Sequence, residues 1–275
     1  MTKTGFVNVG DGKLWYEIGG EGDTLVLVHA GFVDSRMWDD QWDAFTERYR
    51  VIRFDQRGYG KSDPAPGPVS RRDDLLRLLD GLGVERSALL GCSMGGEAAM
   101  DVALEHPERI PALIVASAIP SGFEMQGAPP RYVMEMMEAA QKGDLEQTSD
   151  LQIRIWVDGP FREPEQVNSS VRQHAAEMNW IPVKQGTFIT ADAQPINLLN
   201  PPTSTRLKEI RMPTLIMAGA LDDPEILRAA DIMASEIEGS QKVILPNSAH
   251  LLNMENPQMF NDAVLSFLGT LNKDT

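Results

Sequence analysis

The 275-residue chain carries a formal net charge of −15 and a sequence pI near 4.7, with 42% hydrophobic and 24% charged residues. So acidic a surface repels phosphate backbones and anionic lipid, which excludes nucleic acid and membrane surfaces as expected partners. The composition is that of an ordinary globular protein long enough to bury a full parallel sheet, and no run approaches the roughly 18 apolar residues of a membrane span.

Residues 14–18 and 24–30 read as strands, as do 51–55, 87–92 and 112–118. Several are continuously apolar, such as Leu25-Val26-Leu27-Val28 and Leu113-Ile114-Val115-Ala116, the pattern of strands covered by helices on both faces. Helical intervals at 36–48, 73–82 and 95–105 separate them and predict an α/β fold with a parallel sheet. From 120 to 205 the rhythm breaks. Gly122, Gly127, Pro129 and Pro130 open this segment, Val133, Met136, Met137 and Ala140 share a helical face, a second helical stretch runs near 165–178, and a Pro/Asn-rich run at 197–202 closes it. The pattern predicts a helical cap (120–205) inserted into a core domain made of residues 1–119 and 206–275. Strands return at 214–218 and 242–245 around a helix at 225–237. The final helix has Asn256 as N-cap and Pro257 at its first position, and its spacing buries Phe260, Ala263, Val264, Phe267 and Leu268 on one face.

Between the predicted strand 87–92 and the helix that follows it stands Gly91-Cys92-Ser93-Met94-Gly95-Gly96. A G-x-S-x-G in this context places serine on a turn so tight that its backbone is strained and its Oγ projects above the sheet. Gly91 and Gly95 leave space for the turn, and Gly96 lets the helix pack close. The Met94 amide opens the helix, where free N–H groups and the helix dipole favour an oxyanion. The competing reading is a serine that only caps a helix. Cys92 lies within the strand, where a buried, inert thiol is expected.

A serine at neutral pH needs a general base, and His250 follows the strand 242–245 in a loop. His106 reads as the C-terminal cap of the helix after Ser93, and His174 as a solvent-facing residue of the cap. The orienting carboxylate should follow a strand end between Ser93 and His250, where Gly219-Ala220-Leu221-Asp222-Asp223-Pro224 offers two neighbours. Asp222 is preferred, because Asp223 precedes proline and can cap the next helix. A second oxyanion donor is expected from the loop His29-Ala30-Gly31-Phe32, at Gly31 or Phe32.

Together these motifs resemble the α/β-hydrolase superfamily over nearly the whole chain outside the cap. His29-Ala30-Gly31 looks like the family's His-Gly-x oxyanion loop, with Ala30 in place of the usual glycine. Asp55-Gln56-Arg57-Gly58-Tyr59-Gly60-Lys61-Ser62 looks like its D-x-R-G-x-G-x-S loop, which is mainly structural, and the stretch from Asn247 to Pro257 is similar to its histidine loop. The resemblance implies a mostly parallel eight-stranded sheet flanked by helices, with Ser93 as nucleophile, His250 as base, Asp222 as acid and His29 as a structural residue. Serine at position 93 sets the chain apart from the haloalkane dehalogenases and epoxide hydrolases of this fold, which use aspartate there. The segment Asp34-Ser35-Arg36-Met37-Trp38-Asp39 adds a likeness to carboxylesterases and 3-oxoadipate enol-lactonases.

The expected activity is therefore carboxylesterase chemistry on small substrates through an acyl-enzyme. An enol-lactonase, a perhydrolase or a C–C bond hydrolase would use the same triad, and a small-molecule receptor would use the same pocket without turnover. No cofactor is called for, and four histidines and one cysteine scattered along the chain give no zinc spacing. The expected partner is a small ester or lactone, and a homo-oligomer is compatible with the composition. A lone cysteine and an N-terminus without basic start or apolar run predict a reducing, cytoplasmic setting. Met125, Met134, Met136, Met137 and Met178, with Trp156 and Trp180, make the cap either an adaptable apolar pocket wall or its own packed core.

Overall fold

The computed structural model describes residues 2–271; Met1 and residues 272–275, which the expected core segments include, lie outside it. Eight strands form one sheet: β1 (Lys3–Asn8), β2 (Lys13–Gly19), β3 (Thr24–Val28), β4 (Arg50–Phe54), β5 (Ala88–Cys92), β6 (Leu113–Ala116), β7 (Thr214–Gly219) and β8 (Gln241–Leu245). Their order is β1-β2-β4-β3-β5-β6-β7-β8. β2 runs antiparallel to both its neighbours, and every pairing from β4 to β8 is parallel.

The helices are α1 (Asp39–Thr46), α2 (Arg71–Gly81), α3 (Met94–Glu105), α4 (Val133–Lys142), α5 (Leu145–Ile153), α6 (Ser169–Gln185), α7 (Pro224–Glu236), α8 (Leu252–Glu255) and α9 (Pro257–Leu271). Alternate residues of the apolar strands divide between two cores, as a period of two requires. Val26, Val28, Leu89, Val115 and Ile216 pack with Leu75 and Leu78 of α2, Met100 of α3 and Met233 of α7. Leu25, Leu27, Leu90, Ile114 and Leu215 pack with Phe45 of α1 and with Phe260, Val264 and Phe267 of α9. Covering both faces explains why these strands read as unbroken apolar runs. No helix among the described residues is long and apolar enough to cross a membrane.

Three differences from the expected elements have local causes. β1 went unread because only Val7 of its six residues is buried, so an edge strand exposed on both faces shows no apolar pattern. The strand expected at 24–30 stops at Val28, since His29 and Ala30 turn away into a loop. Between β6 and β7 the helical face is Met136 with Ala139, while Met137, Met134 and Met125 are exposed; α5 is an additional helix there, and α6 continues through Pro182. Met178 of α6 and Ile153 of α5 join the same core as α9, so this segment is seated on the sheet's apolar surface.

Candidate active site

Parallel strands bring their C-terminal ends to one edge of the sheet, and ligand sites of open α/β folds form outside that edge. The loops after β3, β5, β7 and β8 carry the candidate residues: the His29–Phe32 stretch, Ser93, Asp222 and His250.

β5 ends at Cys92 and α3 begins at Met94, so the whole reversal falls on Ser93, at φ 52° and ψ −120°. Non-glycine residues rarely adopt a positive φ, and holding one there needs a surrounding structure that leaves no alternative. A Cβ on Gly91 would lie 2.3 Å from the Gly95 carbonyl oxygen, and one on Gly95 only 2.4 Å from that of Val28. No other residue type fits either place. The Ser93 amide donates to the Ala116 carbonyl at 2.9 Å, tying the turn to β6. The Ser93 side chain makes no capping bond to α3, which removes the reading of a mere helix cap.

Ser93 Oγ lies 2.8 Å from His250 Nε2. On the other side of the ring, His250 Nδ1 lies 3.0 and 3.1 Å from the two carboxylate oxygens of Asp222. A carboxylate can only accept, so Nδ1 carries the proton and donates it, which leaves Nε2 to accept from the Ser93 hydroxyl. Asp222 and His250 are both buried. Asp222 Oδ1 also accepts from the Asp223 amide at 2.8 Å, while Asp223 turns outward and caps α7, its Oδ1 accepting from the Glu225 amide at 2.8 Å. Of the two adjacent aspartates, the structure therefore brings Asp222 to the histidine.

The remaining candidates lie elsewhere. Cys92 is buried, and burial reinforced by the nearby Asp222 charge pushes its thiol far up, so it is no thiolate. His106 is the C-cap of α3, and His174 on α6 lies 4.0 Å from Asp39 at the surface.

His29 is fully buried and holds the loop it begins. Its Nδ1 donates to the Ala30 carbonyl at 2.8 Å, and its Nε2 accepts from the Gln56 amide at 2.9 Å. Both ring nitrogens are used as in the neutral tautomer, and burial lowers the pKa from 6.5 to about 4. A depressed histidine contributes stability that is whole above pH 6.5 and lost as the pH falls towards 4, because only the unfolded chain gains the proton across that window. We expect the wild type to lose about 3 kcal/mol more than H29Q between those pH values, measured by urea unfolding. Other buried acids titrate in both proteins and cancel in the comparison. A difference near zero would mean that the ring is not held neutral.

Ala30, where the family resemblance implies glycine, needs no positive φ and is buried without strain. The amides of Gly31, Phe32 and Met94 donate to no other group among the described residues, so all three candidates are free to face an oxyanion. The Asp55 loop is scaffolding: Asp55 accepts from the Ser35 amide at 2.9 Å and the Lys61 amide at 2.8 Å. Burial, with Asp34 nearby, raises its carboxyl to about 6.

Of the two readings of Trp156, pocket wall or cap core, the structure supports the first. Trp156 joins Phe32 and His250 in an aromatic wall, its ring 5.2 Å from the His250 ring and 6.2 Å from that of Phe32. A cavity of about 250 Å³ is lined by Gly31 and Tyr59 from the core and, among others, by Leu145, Gln152, Val183, Phe188 and Ile189 from the segment between β6 and β7. The sequence left both readings of Trp156 open, because an isolated tryptophan in a helical stretch does not show which side it faces.

The fold and this geometry define a class, and sequence comparison supplies the family: the Alpha/beta hydrolase family model matches residues 25–263, and the chain belongs to that family. It is 28% identical to the carboxylesterase YbfK of Bacillus subtilis over 250 residues, covering 89% of this chain and 80% of the relative. It is also 28% identical to 3-oxoadipate enol-lactonase 2 of Acinetobacter baylyi over 273 residues, 95% of each protein. A hydrolase from Pseudomonas aeruginosa PA01 superposes with a TM-score of 0.78 at 28% identity, over 97% of this chain and 98% of its own.

Proposed function

We propose that the chain is a serine hydrolase that cleaves carboxylic esters of small substrates through an acyl-enzyme. The observation that carries this reading is the continuous hydrogen-bonded chain from the strained Ser93 through His250 to the buried Asp222. Ser93 Oγ attacks the ester carbonyl as His250 Nε2 takes its proton, and Asp222 holds the imidazole in the tautomer that can accept it. The carbonyl π electrons move to oxygen, and the oxyanion is held by the Met94 amide and that of Gly31 or Phe32, each donor contributing about 3 kcal/mol. Collapse expels the alkoxide, which leaves with the proton from His250. Water, deprotonated by the same nitrogen, then attacks the acyl-enzyme, releasing the acid and returning the proton to Ser93.

Residues 120–205 serve as the lid of this site: Trp156 covers the His250 ring, and the 250 Å³ cavity, which meets the candidate oxyanion loop at Gly31, takes the acyl or alcohol group. At about 250 Å³ the cavity lies just below the usual range of drug-sized ligand pockets, which favours a small substrate. The likeness to an enol-lactonase favours a second reading, in which the same attack opens a lactone and the leaving alkoxide stays on the acyl chain. Two measurements test the proposal: turnover of p-nitrophenyl esters and lactones of graded chain length, and mass spectrometry of the protein after reaction with a fluorophosphonate. Expected are ester turnover and a single adduct on Ser93. An adduct elsewhere, or no turnover of any ester or lactone, rejects it.

A further inference from the structure

Three successive carbonyls of the loop after β3 are each pinned by a side chain. His29 Nδ1 donates to the Ala30 carbonyl at 2.8 Å, the Tyr59 hydroxyl donates to that of Gly31, and Asn179 Nδ2 donates to that of Phe32 at 3.0 Å. The first donor belongs to the loop itself. Asn179 reaches it from the lid, and Tyr59 reaches it from the core loop after β4 while bonded to the lid through Asp192. Asn179 lies on α6, 147 positions along the chain from Phe32, and Tyr59 shares its single phenolic proton between Gly31 and the carboxylate of Asp192, a lid residue.

In a trans peptide the C=O and the next N–H point in opposite directions within one plane. Fixing the Gly31 carbonyl therefore fixes the direction of the Phe32 amide, and fixing the Phe32 carbonyl as well removes the remaining freedom of that residue's two peptide planes. Each pin is built to be rigid. Asn179 is fully buried; its Nδ2 donates a second hydrogen to Gln152 Oε1 at 2.6 Å, and its Oδ1 accepts from the Ser149 hydroxyl at 2.7 Å. Asp192 is anchored by Arg71 at 2.5 Å, and Arg71 donates in turn to the Arg57 carbonyl at 2.7 Å. Burial and the Asp192 charge push the Tyr59 phenol well above its ordinary value, so it stays a donor.

We infer that Asn179 and Tyr59 are positioning residues for the Phe32 oxyanion donor, so that seating of the lid and assembly of the oxyanion hole are one event. This rests on the serine-hydrolase reading above. Asn179 lines no part of the cavity, and Tyr59 does line it, so N179L is the variant in which a change of kcat owes nothing to substrate contact. Both act through the loop backbone, so their loss should be felt where charge develops on the carbonyl oxygen and not in ground-state binding.

The test compares N179L, Y59F and T190V with the wild type. The Thr190 hydroxyl shares its proton between the lid's own Gly186 carbonyl at 3.0 Å and the core's Ala65 carbonyl at 3.2 Å, a lid-to-core contact that does not reach the loop. Expected for N179L and Y59F is a fall in kcat of roughly tenfold to a hundredfold, short of the loss of a whole donor. KM should stay within about twofold, and affinity for a trifluoromethyl ketone, which forms an oxyanion on Ser93, should weaken by the same factor as kcat. T190V should keep the wild-type kcat. An unchanged kcat in folded N179L and Y59F, a rise in KM alone, or an equal loss in T190V would overturn the inference. Should N179L fail to fold, Y59F, which removes one oxygen and keeps the ring, decides alone. A wild type with no ester turnover and no fluorophosphonate adduct at Ser93 overturns the hydrolase reading and this one together. An active wild type with indifferent variants overturns only this one.

Discussion

Replacing Ser93 with alanine is expected to lower kcat for p-nitrophenyl acetate by about five to six orders of magnitude, as loss of a nucleophile does in enzymes with this arrangement. The residual rate would come from the oxyanion donors and binding alone. The substitution should leave the fold unharmed, because Ser93 is held by its backbone bond to Ala116 and its side chain caps nothing. Stability offers a second readout from the same position. With φ at 52°, Ser93 carries a backbone cost of about 1–3 kcal/mol that glycine would not. S93G should therefore be as inactive as S93A yet more stable, by roughly 1 kcal/mol after the entropy that glycine adds to the unfolded chain. Thermal unfolding of the three proteins side by side checks this. An S93A protein with wild-type turnover would remove Ser93 from the mechanism, and an S93G protein less stable than S93A would mean that the turn is not strained.

The second large effect separates two neighbours. D222N should lower kcat by roughly four orders of magnitude, because an amide in place of the carboxylate permits the His250 tautomer with the proton on Nε2, which cannot accept from Ser93. D223N should be nearly silent in activity and stability alike, since asparagine caps a helix as well as aspartate does. D223A should cost about 1 kcal/mol by removing the cap on the Glu225 amide, without touching kcat. Steady-state kinetics and urea unfolding of the three variants give the answer. Equal losses of activity in D222N and D223N would contradict the assignment.

The difference between these aspartates also marks where sequence reasoning ends. Both follow the same strand, and the one local rule that separates them, the helix-capping position of Asp223 before Pro224, prefers Asp222 without aiming it at any partner. What decides is the turn: the Asp222 amide bonds the Gly219 carbonyl, and the Leu221 amide bonds the Ser248 carbonyl in the histidine loop, which aims position 222 at His250 and position 223 at α7. A register set by contact with a second loop is a tertiary fact.

The sequence by itself determined the features whose physics is local. Alternating and continuous apolar runs assigned seven of the eight strands, because burial on both faces shows directly in residue type. Gly91, Ser93, Gly95 and the strand and helix on either side named the turn, because only a chain free of side-chain bulk at two fixed offsets can make it. His250 followed from its place after the last strand. Residues acting across the fold left no such trace. Asn179 is one polar residue among many in α6, Tyr59 one letter in a scaffold loop, and Trp156 one aromatic among several. Their partners stand 147, 28 and 94 positions away, at Phe32, Gly31 and His250. Which of them meet depends on how the segment between β6 and β7 seats on the sheet, and that seating is fixed by packing summed over many side chains, not by any pattern along the chain.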